Sequence, residues 1–191
     1  GEALRAPEGF PMAPIASPTG KPRGMGALET FAHHPALAEA FFPFNGHVQY
    51  GTTLAPRQRG ILVLRVGVLR QSTYLWTQHV LAGRELGLTD ADMANIAFGP
   101  NAPTLDPLDA ALVRAVDELI GDGVISDATW AVLATDLDHR QLLDVIFTVG
   151  CFETVSFMMR SVNLELDTVA LELLADGRNA RRNDTEGTTT S

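Results

Sequence analysis

The segment Arg70-Gln-Ser-Thr-Tyr-Leu-Trp-Thr-Gln-His79 gathers side chains that could move a proton or hold a small ligand. On a helix, Ser72, Leu75 and His79 fall at i, i+3 and i+7 and share one face, while Tyr74 and Gln78 form the neighbouring ridge. An imidazole exchanges protons near neutral pH, and a phenol and an amide beside it can orient it or its substrate. His79 and Tyr74 are candidate catalytic groups on this ground, with Gln78 and Ser72 as candidate substrate contacts. The spacing fits a core histidine bonded to a backbone carbonyl equally well, and Tyr74 and Trp76 also read as packing residues near a subunit interface.

A second set lies apart in sequence. Glu153 sits in the apolar stretch Phe147-Thr-Val-Gly-Cys-Phe-Glu-Thr-Val-Ser-Phe157, where a carboxylate is either paired or has a raised pKa, and both states suit a general acid or base. A solvent-facing carboxylate is the competing reading. Arg65 interrupts the apolar run 61–69 and must find an anion or carbonyls, which makes it a candidate substrate contact and makes Arg65–Glu153 a candidate buried pair. The single cysteine, Cys151, reads as a small buried apolar residue. His33 and His34 beside Pro35 stand at a helix start, His47 and His139 are isolated, and no ligand spacing for a metal is present. Neither a phosphate-binding glycine loop nor a nucleophile elbow is present.

These residues need helices to position them. Pro and Gly at high density make residues 1–26 an irregular arm of the kind that lies along a neighbouring subunit. The spacing predicts a helix from Leu28 to about Tyr50, with Pro35 in its first turn and Pro43 as a potential kink. The run 61–69 is apolar on every side; with no second strand to pair with it, a buried helix is the better reading. Gly87 closes a helix over 72–86, and Thr89-x-x-Asp92 opens a short one with a capping box. Asp106-Pro107 opens another with a continuous apolar stripe, which Gly121 and Gly123 end. Ser126 caps the segment carrying Trp130, and Asp138-x-x-Gln141 caps a long apolar helix to about Arg160. Asn163 ends that helix, and Glu165 to Ala175 forms a last one before a polar tail. The sequence thus reads as one all-α domain over 27–176 between an arm at 1–26 and a tail at 177–191.

Composition narrows the partners. The chain has 191 residues, 14 Lys+Arg against 23 Asp+Glu and a net charge of −9. Nucleic acid and anionic membranes attract through basic patches, so neither is expected as a partner. The opening residues contain no apolar h-region and no apolar run approaches bilayer length, so a cytoplasmic protein is expected. One thiol cannot form an internal disulfide or run a dithiol cycle.

The stretch from about Phe31 to Leu166 resembles the carboxymuconolactone decarboxylase-like superfamily, which includes the AhpD-type alkylhydroperoxidases. The resemblance rests on Ala32-His-His-Pro-Ala-Leu37, Leu54-Ala-Pro-Arg-Gln-Arg-Gly-Ile-Leu-Val-Leu-Arg-Val66, Tyr74-x-Trp-x-Gln-His79, Ala82-x-x-x-x-Gly-Leu-Thr89, Ile125-Ser-Asp-Ala-Thr-Trp130 and Val149-Gly-x-Phe-x-x-Val-Ser156. It implies an all-α fold with a central helical hairpin and assembly as a homo-oligomer, usually a trimer or hexamer. The redox branch has a Glu twelve residues before a Cys-x-x-Cys and a His four residues after it. Anchored on His79, the thiol positions fall on Ser72 and Leu75 and the acid on Gly60, so three of the four redox residues are missing. A serine and a leucine cannot reduce a peroxide.

The decarboxylase branch needs no metal or organic cofactor, and it implies a site His acting on a small lactone acid. Only His79 carries over by position. Tyr74 and Trp76 look like the aromatic pocket of the non-redox members. The expected function is cofactor-independent acid/base chemistry of lyase type on a small carbonyl, lactone or carboxylate compound. The alternatives are an alkylhydroperoxidase-like activity and a non-catalytic ligand-binding or assembly protein.

Overall fold

A computed structural model describes residues 25–162 and Leu164. The expected arm, apart from residues 25 and 26, lies outside the described residues, as do the stop at Asn163, the last helix and the tail. The described chain is helical throughout: α1 (Met25–Phe31), α2 (Pro35–Gly46), a π turn (His47–Gly51), α3 (Pro56–Leu69), α4 (Thr73–Glu85), α5 (Asp90–Phe98), α6 (Pro107–Gly121), α7 (Asp127–Asp136) and α8 (His139–Ser161).

The apolar run 61–69 is the heart of the fold. It is the body of α3, and Ile61, Leu62, Val63, Leu64 and Val66 are at most 1% exposed. Helices α4, α5, α6 and α8 pack around it, which is why this helix is apolar on every side rather than on one stripe. Helices α3 and α4 form the central hairpin. Gly67 permits their closest approach, since a Cβ there would stand 3.3 Å from the Trp76 backbone nitrogen. The connection turns through Gln71, whose φ of 50° is left-handed.

Local signals set most boundaries. Ser72, Thr89, Asp106, Ser126 and Asp138 each accept a hydrogen bond from a first-turn backbone N–H and so cap α4 to α8 in turn. Gly87, at φ 83°, lets the Leu88 amide reach back to the Gly83 carbonyl and close α4. The one helix expected over 28–50 is instead three pieces. His34 Nδ1 accepts from the Leu37 amide and Pro35 starts α2 afresh, because proline cannot donate backward into α1. Pro43 is accommodated inside α2, and the chain widens into the π turn a few residues later.

Helix α8 is long and apolar enough to cross a bilayer by length and composition. Its inward stripe of Leu142, Val145, Val149, Phe152, Val155 and Met159 is buried in the domain core. Its outward stripe carries Leu143, Phe147 and Phe157, each about half exposed.

Candidate functional site

His79 projects from the middle of α4 toward α8. Its Nδ1 lies 3.0 Å from the Leu75 carbonyl oxygen one turn earlier. A carbonyl only accepts, so Nδ1 carries the proton and Nε2 presents its lone pair. The ring stands edge-on against Phe152 of α8, with centroids 5.2 Å apart at 85°. Burial pushes the imidazole down to about 4, against the raising effect of the Leu75 carbonyl, and the nearby Arg59 guanidinium lowers it further. His79 is therefore neutral at physiological pH, an acceptor at Nε2 and a donor at Nδ1. Both readings of the sequence meet in it: one nitrogen is tied to the backbone and the other is not.

Arg59 is the residue that spacing arguments overlooked. It lies on α3 one position before Gly60, where the resemblance placed an acid. The other arginines of this helix and its C-cap are all held by carboxylates. Arg57 binds Asp92 and Asp109, Arg65 binds Asp117, and Arg70 binds Glu153. Arg59, half-buried, makes no ion pair with any described residue, and burial lowers its pKa below the usual guanidinium value. Tyr50, on the π turn, is close enough to act on it electrostatically and is itself about half exposed. The available signal was the doublet Arg57-x-Arg59 at the head of an apolar helix. Sequence could not tell which of its arginines was neutralised, because Asp92 and Asp109 approach from other helices.

The remaining candidates divide by what holds them. Arg65 is not paired with Glu153. Its guanidinium makes two bonds to Asp117, at 2.6 and 2.8 Å, and two more to the Ile96 and Ala97 carbonyls at 3.0 Å, fastening α3 to α5 and α6. Those four bonds give it a structural task in place of the expected substrate contact. Glu153 instead pairs with Arg70, which also lies over the Phe157 ring, so this carboxylate ties α8 to the end of α3 rather than approaching His79. Ser72 is buried as the α4 cap, its Oγ receiving the Leu75 amide. The two positions that would need thiols are thus a capping serine and a core leucine.

Tyr74 is 7% exposed and belongs to the core, and Trp76 packs half-buried along α3 at Gly67. Gln78 lies next to His79, and its Nε2 is buried with no hydrogen-bond partner among the described residues. On α8, Thr148 and Ser156 lie one turn before and one turn after Phe152, and both hydroxyls are buried and unpartnered in the same sense. Cys151 accepts a 3.4 Å hydrogen bond from Asn45, and burial raises its thiol pKa, opposite to what a reactive thiolate requires. Among the described residues no three His, Cys, Asp or Glu side chains group to hold a metal. His47 meets Asp144 at 3.4 Å on the surface, and Asp144 also accepts from the Thr53 amide and hydroxyl.

No protein-family model matches the sequence, and no curated protein matches it. Solved structures do resemble the fold. A protein of unknown function from Agrobacterium tumefaciens, described as a candidate AhpD antioxidant-defence protein, superposes with a TM-score of 0.66 at 16% identity, over 72% of this chain and 95% of that one. An uncharacterised peroxidase-related protein from Ralstonia eutropha, described as an alkylhydroperoxidase AhpD core, gives 0.67 at 15% identity over 76% and 78%. A further peroxidase-related protein from Silicibacter gives 0.66 at 16% identity over 74% and 76%. The chain therefore has the AhpD-like all-α fold. At this identity the likeness is one of fold, and function rests on the site itself.

Proposed function

We propose that the chain is a cofactor-independent acid/base enzyme of carboxymuconolactone decarboxylase type, acting at His79 on a small carbonyl, lactone or carboxylate compound. The observation that carries this reading is the pairing of a neutral imidazole, its tautomer set by the Leu75 carbonyl, with a half-buried guanidinium that no carboxylate of the described chain neutralises. A base needs an open lone pair, which Nε2 supplies. A reaction that develops negative charge on oxygen needs a preorganised positive group in a low-dielectric setting, which Arg59 supplies.

In a decarboxylation of this kind the bond to the departing carboxylate breaks and its electron pair passes into an enolate. Arg59 stabilises that charge, and the carbanion carbon is then protonated by His79 Nε2–H, the imidazole having taken that proton from water, which leaves hydroxide to the solvent. Gln78, next to His79, and Trp76, about one helical turn before it, would position the substrate, and Tyr74 would support the ring from within the core. The reading includes self-association, for which the exposed Leu143 and Phe147 of α8, with Phe44 against Phe147, offer an apolar face.

The experiment is turnover on a panel of small lactones and keto acids. His79→Ala should abolish activity while leaving the helical spectrum and the oligomer mass unchanged; undiminished turnover in that variant refutes the assignment. A coupled assay with an organic hydroperoxide and a dithiol reductant should show no consumption above buffer, because the chain holds a single, buried thiol.

A further inference from the structure

We propose that α8 pairs antiparallel with α8 of a second copy of this chain, about a two-fold axis at the level of Phe152. The inference rests on the self-association included in the proposed function, not on the chemistry at His79, and adds which face pairs, with what and in which register. The ground is the order of residues along the outward face of α8. Leu143, Phe147, Gly150, Thr154, Phe157 and Ser161 are all exposed, and they follow one another at alternating spacings of four and three. That is the seam of a coiled coil, where each side chain of one helix enters a hole on the other. The row is also symmetric about the level of Phe152, so it complements itself when reversed. An antiparallel copy sets Phe147 against the partner's Phe157, Gly150 against the partner's Thr154 and Leu143 against the partner's Ser161. Such a pairing is isologous, each contact occurring twice.

The shape and chemistry of the face fit that register. Gly150 and Thr154 form a low saddle between larger residues, which lets the helices cross closely and still admits a methyl at position 150, since nothing in its own chain lies within 4 Å of a Cβ there. The Thr154 hydroxyl donates to the Gly150 carbonyl at 3.0 Å, so it can be covered without orphaning a donor. A hollow of about 380 Å³ opens beside Phe157, Arg160 and Ser161, at the end of the seam where the partner's Leu143 arrives. Both rings are propped from behind by their own chain: Phe147 by the edge of Phe44 at 6.1 Å, and Phe157 by the Arg70 guanidinium at 5.3 Å. Glu153, the acid nearest the axis, is already neutralised by Arg70, so pairing brings no two free carboxylates together. Leu143, Phe147, Phe157 and Phe44 together leave about 400 Å² of apolar side chain exposed. A stable pair buries about 800 Å² on each side, a little over half of it apolar, so this face carries close to the share one partner must supply.

The test measures the mass of the full chain in solution by sedimentation equilibrium, with circular dichroism as the control for folding. Wild type should be a dimer or a higher even-numbered assembly. Phe147→Glu should halve its mass, and the double variant Phe147→Glu with Phe157→Arg should restore it, because each new acid then meets the arginine of the other copy. Within one chain the two positions are about 15 Å apart along α8 and cannot meet. The register is read separately by oxidation of Leu143→Cys with Ser161→Cys. That double variant should link two copies covalently, since a disulfide needs Cα atoms within about 7 Å. Either single variant, and wild type with its one buried thiol, should form no link. A monomeric or odd-numbered wild type, a mass that ignores Phe147→Glu, or no covalent dimer from the double cysteine variant overturns the proposal. Failures of the two readings are distinguishable. An assembly whose mass ignores Phe147→Glu removes this interface and leaves self-association standing, whereas a monomer removes both. Turnover of His79→Ala decides the acid/base assignment in either case.

Discussion

Replacing His79 with Asn converts its buried environment into a measurable stability difference. In the folded chain the imidazole titrates at about 4, against 6.5 for an unconstrained histidine. A histidine whose folded pKa is lowered binds its proton preferentially when unfolded, so the penalty is absent above the unfolded value and grows as pH falls toward the folded one. At about pH 5 the unfolded chain is almost fully protonated at this position and the folded chain is not, and the difference is about 2 kcal/mol. It approaches about 3 kcal/mol below about pH 4. Asn keeps an N–H where Nδ1 meets the Leu75 carbonyl and cannot titrate.

The assay is urea unfolding of wild type and His79→Asn at about pH 7.5 and about pH 5. The other four histidines are exposed and common to both proteins, so they cancel. The capping and paired carboxylates Asp92, Asp138 and Asp144 have pKa values held below the usual range by their hydrogen bonds, so their losses fall at more acidic pH. Wild type should lose about 2 kcal/mol more than the variant over this interval. Equal losses in the two proteins would show that His79 is not held neutral by the fold and would remove the physical basis of its assignment.

Three further predictions concern the frame around the site. Asp117→Asn strips the countercharge from Arg65, which is 7% exposed, and should cost roughly 3 kcal/mol in denaturant unfolding. The double variant Arg65→Met with Asp117→Leu should recover much of that loss, and a double variant no more stable than the single one would contradict the argument. Gly67→Ala should destabilise by about 1 kcal/mol or more, because its Cβ meets the Trp76 backbone at 3.3 Å and backbone cannot yield as a side chain can. Gly150→Ala, mid-helix in α8 with nothing within 4 Å, should raise the melting temperature through better helix propensity; a drop there would mean the paired helices meet too closely to admit a methyl.

Much of the scaffold was legible from local chemistry. Caps act within one turn of the backbone, so Thr89, Asp106, Ser126 and Asp138 announce their helices without knowledge of any neighbour. The run 61–69 was readable as a buried helix for a related reason, since a lone strand would strand its own hydrogen-bonding groups. The break at Ala32–His34 was less clear, because Pro35 marks a helix start equally well whether or not a helix precedes it.

What sequence alone determined about this protein is most of the helical order, the burial of the apolar run 61–69, the absence of a dithiol pair and the place of His79 on α4. Charge pairing was decided only in three dimensions. An arginine at position 59, 65 or 70 looks the same in a string of letters; the carboxylates that claim Arg65 and Arg70 arrive from α6 and α8, more than fifty residues away, and none from the described residues arrives at Arg59. The same geometry moved Glu153 to Arg70. It also left His79 with one nitrogen on the backbone and its ring within the electrostatic reach of Arg59, the one cation of α3 without an acid among the described residues, because electrostatic fate depends on which helix packs alongside.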